Sequence, residues 1–262
     1  MVFLLSQADL SAQTPMGLDV VAPTNIAGSD AASVDFQNNV LPELENFVNT
    51  NLTERTALEL TPAMMLDPLK LNLATLSDVR VYFVNEGAGY HNSLGFNTDL
   101  SGGVETGDPQ LSFPDASSST SYFDPNGEVV RDSNTPVSAG DYVDIGTFDA
   151  GTQLDFFLIA NGANGGQNVF STNDSANPDG LVHAIAYALP DSPYLLIGFE
   201  DLLNGGDNDF NDLLFLVDIG SANVAALTSG LEPATLLTVG AFGGVAAVIR
   251  RKRNRKQDTE SA

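Results

Sequence analysis

The feature that most constrains this chain is a series of short apolar runs broken by clusters of Gly, Asn, Asp and Pro. Leu69, Leu71 and Leu73 alternate with Lys70 and Asn72, and Val79, Val81 and Phe83 alternate with Asp78, Arg80 and Tyr82. A period of two places alternate side chains on opposite faces of a half-buried strand. Further runs at 141–148, 153–160, 181–189, 194–199 and 213–219 also read as strands. Many short strands, polar turns and no alternating helices predict an all-β, antiparallel β-sandwich or jelly-roll-like domain. One amphipathic helix is expected near 39–52, where Val40, Leu41, Leu44, Phe47, Val48 and Leu52 recur at helical spacing. The stretch 100–140 reads mostly as loop, with short edge strands near 111–113 and 128–131.

Charge narrows the partners. Six of the ten Lys and Arg residues lie between Arg250 and Lys256, so residues 1–249 hold 32 acids against four bases. Such a body repels nucleic acid and anionic lipid, and bound divalent cations would relieve its self-repulsion. With no cysteine in the chain, neither disulfides nor thiolate metal sites are available, and any metal must be held by oxygen.

Oxygen ligands are concentrated in GFEDLLNGGDNDFNDLLFLVD, residues 198–218. Asp207, Asp209 and Asn211 stand at i, i+2 and i+4, the spacing by which a loop wraps successive oxygens around calcium. Glu200, Asp201 and Asp212 crowd the same turn, and Glu86, at the end of another strand, is a further candidate ligand. This is no EF-hand, because Asp212 occupies the position that needs glycine and no helices flank the loop. The alternative is a solvated turn whose Asp and Asn residues cap their own backbone. His91 and His183 read as hydrogen-bonded structural residues, since calcium prefers oxygen and two isolated histidines make no zinc site.

Four segments, 79–96, 153–172, 177–187 and 197–217, resemble the successive motifs of the domain of unknown function 4114, over about residues 60–220. That family occurs in bacterial secreted and surface proteins, and the resemblance implies an all-β sandwich without supplying an activity.

At the C-terminal end, the sixteen uncharged residues 234–249 are followed by RRKRNRK. As a helix they span roughly 24 Å, a marginal transmembrane length that snorkelling arginines extend. The basic cluster keeps the tail cytoplasmic and puts what precedes it outside. A buried core helix with a basic tail is the competing reading. Leu231-Glu232-Pro233, the apolar Gly-rich helix, and Arg250, Arg251 and Arg253 together resemble a PEP-CTERM sorting signal, with Leu231 where the first proline of the motif usually stands. That resemblance implies an exosortase-type processing enzyme as partner. The N-terminal MVFLLSQADLSAQTP has only four consecutive apolar residues and no basic region, so it reads as a possible remnant of a secretory signal whose start lies upstream.

The expected organisation is an N-terminal segment 1–27, a helical lead-in 28–60, the β domain 61–220, a linker 221–230, the sorting signal 231–256 and a tail 257–262. The expected function is a non-enzymatic, calcium-stabilised extracellular or cell-surface protein, structural, adhesive or matrix-associated. A carbohydrate-binding module is the alternative, with Tyr82, Tyr90, Tyr122 and Tyr187 as possible sugar platforms and extracellular polysaccharide as partner. A glycoside hydrolase is a third reading, with Glu200 and Asp212 facing each other across the hairpin. No GxSxG elbow and no cysteine nucleophile occurs.

Overall fold

The computed structural model describes residues 14–52, 66, 71–99, 103–118, 137–188 and 192–229, and the statements below concern these. Ten strands form two five-stranded sheets. The first contains β1 (Asp19–Val20), β3 (Ser93–Asn97), β4 (Gln110–Phe113), β6 (Asp155–Ile159) and β7 (Val169–Ser171), in the order β1-β4-β3-β6-β7. The second contains β2 (Ser77–Asn85), β5 (Tyr142–Phe148), β8 (Ala184–Ala188), β9 (Tyr194–Phe199) and β10 (Leu213–Asp218), in the order β5-β2-β10-β9-β8. All pairings are antiparallel except the short parallel edge of β1 on β4.

The sheets face each other over one apolar layer. Val79, Val81 and Phe83 of β2 and Leu213, Phe215 and Val217 of β10 meet Leu94 and Phe96 of β3 and Phe156 and Leu158 of β6. Phe156 and Phe215 bridge the layers with ring centroids 5.3 Å apart, a tilted pair that adds to the area it buries.

The second sheet is apolar on both faces. Its outer side is covered by helices α1 (Ala31–Asn39) and α2 (Leu41–Asn51), whose Phe36, Leu44 and Val48, with Val40 between the helices, pack on Tyr82, Val84, Tyr194, Leu196 and Leu216. Phe36 stacks on Tyr82 at 4.0 Å. Arg80 ties this layer together, pairing with Asp144 and Asp30 and lying 3.9 Å from the Tyr142 ring centroid. The strand expected to be half-buried at 79–83 is therefore buried on both sides, and Tyr82 and Tyr187 are packing residues, not sugar platforms.

Other expectations change as well. The helix expected near 39–52 is α2, and a further helix, α1, precedes it; the two are separate because Val40 ends α1 and Pro42 starts a new first turn, where its missing N–H costs nothing. Leu71 and Leu73 are buried but belong to no regular strand; their neighbour Asn72 makes a single bridge to Gln153. Within the expected linker 221–230, residues 221–228 form helix α3 (Ser221–Thr228), which inserts Val224 and Leu227 into the core. The N-terminal segment 1–27 contributes β1 and an Asn25–Tyr142 bridge, so the β body begins well before residue 61. The expected strand at 128–131, Tyr122 and Leu69 lie outside the described residues, as does the whole sorting segment with Leu231, Glu232, Pro233, Arg250, Arg251 and Arg253. No helix among the described residues is long and apolar enough to cross a membrane.

Candidate metal centre

Strands β9 and β10 pair in continuous register from Tyr194–Asp218 to Phe199–Leu213 and hold residues 200–212 between them as a rigidly anchored loop. The loop turns tightly through left-handed backbone at Asn204, Gly205, Gly206, Asn208 and Phe210. Phe210 at φ 57° is unusual for a bulky side chain, and its burial in the layer beneath the helices holds it there.

This winding brings the carboxylates of Glu200, Asp207 and Asp209 together, with one oxygen from each lying within 4.8 Å of the others. Glu200 and Asp209 are buried while Asp207 is exposed. Glu200 Oε1 accepts the Phe210 N–H at 2.8 Å, whereas Oε2, fully enclosed, has no hydrogen-bond partner. Gly206 is required beside it, because a Cβ there would collide with Oε2. Burial pushes the Glu200 carboxyl up to about 7, and the charges of Asp209 and Asp207 add to that rise while the Phe210 hydrogen bond opposes it.

Asp201 and Asp212 form a second acidic pair beside the first. Asp212 Oδ2 accepts the Asp201 N–H at 2.9 Å, and Asn92 Nδ2 donates to Asp201 Oδ2 at 2.8 Å. Burial raises both carboxyls, and the Asp201 charge drives Asp212 further, so the cation-free pair retains a proton. Glu200, Asp201, Asp207 and Asp212 all line one cleft of about 650 Å³, together with Tyr90 and Leu202 to Asn204.

Besides Asp201 and Asp212, two further expected ligands, Asn211 and Glu86, stay outside the converging group. Asn211 is buried, donating Nδ2 to the Leu52 carbonyl at 3.3 Å, while its Oδ1 faces Gly87. The i, i+2, i+4 pattern thus supplies two members, and Glu200 from the preceding strand end takes the third place. Glu86 is also buried, and its Oε1 accepts the Ser118 N–H at 3.3 Å outside the converging group.

Both histidines are structural braces. His183 stacks on Phe170 and sets Nε2 against the Asp179 carboxylate and Nδ1 against the Glu200 carbonyl, linking the 173–183 loop to the acidic turn. Asp179 also accepts the Asn204 N–H at 2.7 Å. Although burial opposes it, these hydrogen bonds hold Asp179 down at about 2. His91 Nδ1 contacts both Asp115 Oδ2 and Ser117 Oγ. Because serine and aspartate address the same ring nitrogen, the trio lacks the geometry of a nucleophilic triad.

The fold and site thus define a mostly β protein built of two stacked sheets, with an acidic turn joining two central strands. Residues 148–220 match the family model described as Domain of unknown function (DUF4114), a span from the end of β5 to the end of β10 that includes the entire acidic turn. The motif at 79–96 lies outside that match. No curated protein and no solved structure matches the chain.

Proposed function

We propose that this protein is a non-enzymatic, calcium-stabilised β-sandwich that serves at the cell surface or outside the cell in a structural, adhesive or matrix-associated role. The single observation that carries the calcium reading is Glu200 Oε2, an enclosed carboxylate oxygen without a hydrogen-bond partner beside Asp207 and Asp209. A buried anion left unpaired costs several kcal/mol, and a hard divalent cation satisfies it with oxygens at the spacing calcium accepts. Asp201 and Asp212 line the same cleft as Glu200 and Asp207 and add to its acidic character. Delivery to the envelope through the 231–256 segment, with an exosortase-type enzyme as processing partner, is part of the same proposal and rests on the sequence resemblance alone.

The test is thermal unfolding of the full-length chain in EDTA and in millimolar calcium, with Asp209→Asn alongside. A ligand that binds only the native state stabilises it by about 2.7 kcal/mol at a hundredfold excess over Kd. In a domain of this size that is roughly a 5–10 °C rise in melting temperature. Superimposable curves in calcium and EDTA would reject the calcium reading.

A further inference from the structure

Beyond the cation itself, the surroundings of the acidic turn show what it would meet. A second cleft of about 480 Å³ shares Tyr90, Asp201, Leu202 and Leu203 with the first, so the two form one continuous trough. Three of the large apolar side chains exposed on the described surface, Tyr90 at 41%, Leu202 at 46% and Leu203 at 44%, line this trough. A Cβ added at Gly89 would meet nothing within 4 Å, so the backbone next to Tyr90 is uncrowded. Asn161, Gln167 and Asn168 line the part of the second cleft that the first does not share.

The chemistry of this trough selects its ligand. Three converging carboxylates offer one oxygen each, whereas calcium takes about 6–8, so several positions are left for backbone, water or ligand oxygens. Asp207 is the exposed member and lines the cleft together with Glu200, so two of the three carboxylates border the trough. An acidic floor on a chain of net charge −24 repels anionic ligands. Exposed apolar surface alternating with amides and a cation fits a molecule with apolar C–H faces and paired hydroxyls. Each of the two clefts, at about 650 and about 480 Å³, falls within the range of roughly 300–1,000 Å³ common for ligand sites.

We infer that the trough binds a neutral sugar, whose vicinal hydroxyls complete the shell of the cation at Glu200, Asp207 and Asp209 while its ring rests on Tyr90. This inference depends on the cation site proposed above. It makes the calcium both a brace for the loop and the contact that orients the sugar, with Leu202 and Leu203 bordering the ring and the amides reading the next unit.

Affinity electrophoresis of the full-length chain through gels containing mannan, galactan, β-glucan or chitosan-free N-acetylglucosamine polymer provides the test, run in calcium and in EDTA. At least one of these polymers is expected to retard the calcium-loaded protein, with retardation lost in EDTA. Tyr90→Ala should weaken binding about tenfold, the upper end of an aromatic stacking contribution, while keeping the calcium-dependent melting rise. A protein whose melting responds to calcium but which none of the four polymers retards overturns the sugar site and leaves the cation site standing. Retardation that persists undiminished in EDTA overturns the bridging role of the cation.

Discussion

Phe210 and Glu200 are locked to each other across the acidic turn: the Phe210 N–H donates to Glu200 Oε1 at 2.8 Å, and the opposite oxygen is left enclosed without a partner. Phe210 is held in left-handed backbone by its burial under α1 and α2, so the helical layer indirectly sets the orientation of a candidate metal ligand.

Glu200→Gln separates the cost of the unpaired anion from the gain on binding a cation. At pH 8 in EDTA the variant is expected to melt at the wild-type temperature or a few degrees above, since an ionised carboxylate is no longer buried. In calcium it should lose most of the wild-type increment. Isothermal titration with calcium, read beside melting curves, checks both halves.

The pH dependence has a definite sign. The folded-state pKa of Glu200 is raised to about 7 from an ordinary 4.5, so between these values the native state binds more protons than the unfolded one. Stability in EDTA therefore falls as pH rises from about 4.5 to about 7. The raised Asp201 and Asp212 pair continues the fall to higher pH. Saturating calcium holds the carboxylates ionised and should flatten or invert this slope. Melting temperatures across pH 5 to 8, with and without calcium, measure it.

Gly206→Ala places a methyl group against Glu200 Oε2 at a residue with φ of 49°. The left-handed backbone alone costs about 1 kcal/mol for an L residue. The added collision should displace Glu200, so the calcium-dependent melting rise is expected to shrink far more than the melting temperature in EDTA. A variant that retains the full calcium increment would show that Gly206 does not shape the site.

Asn223→Ala is a control away from the acidic turn. Asn223 Oδ1 accepts the N–H groups of Ala74 and Thr75, both at 2.8 Å, and Nδ2 donates to the Ile219 carbonyl at 2.7 Å. Its loss strands several buried groups and is expected to cost roughly 2–3 kcal/mol. Equal destabilisation in calcium and EDTA, measured by urea unfolding, would confirm that the α3 anchor and the acidic turn are independent.

The strands that sequence patterning finds are those with long apolar runs. YLLIGF and LLFLVD are β9 and β10 because both faces of the central sheet are buried, one against the other sheet and one against the helices. β3 escapes the same reading. Its SLGFN is short and interrupted by Gly95, which is needed because a Cβ there would strike the Phe157 ring and the Gln110 carbonyl. An isolated glycine between apolar residues was the one available signal of such a close approach. Helix α1 buries only Ser33 and Phe36, so its apolar periodicity is faint; its clearest mark is Asp30, which caps the Ser33 N–H.

The amino-acid sequence by itself determined the mostly β character, the absence of thiolate ligands and the location of the acidic turn between two strands. Those properties follow from local composition and spacing. Tertiary structure alone decided which oxygens converge. Glu200 joins Asp207 and Asp209 because the turn coils back over the end of β9, whereas Asn211 is drawn to the Leu52 carbonyl and Glu86 to the Ser118 N–H. The i, i+2, i+4 pattern states which residues are neighbours along the chain, but which side chains face one point depends on left-handed backbone and on contacts tens of residues away.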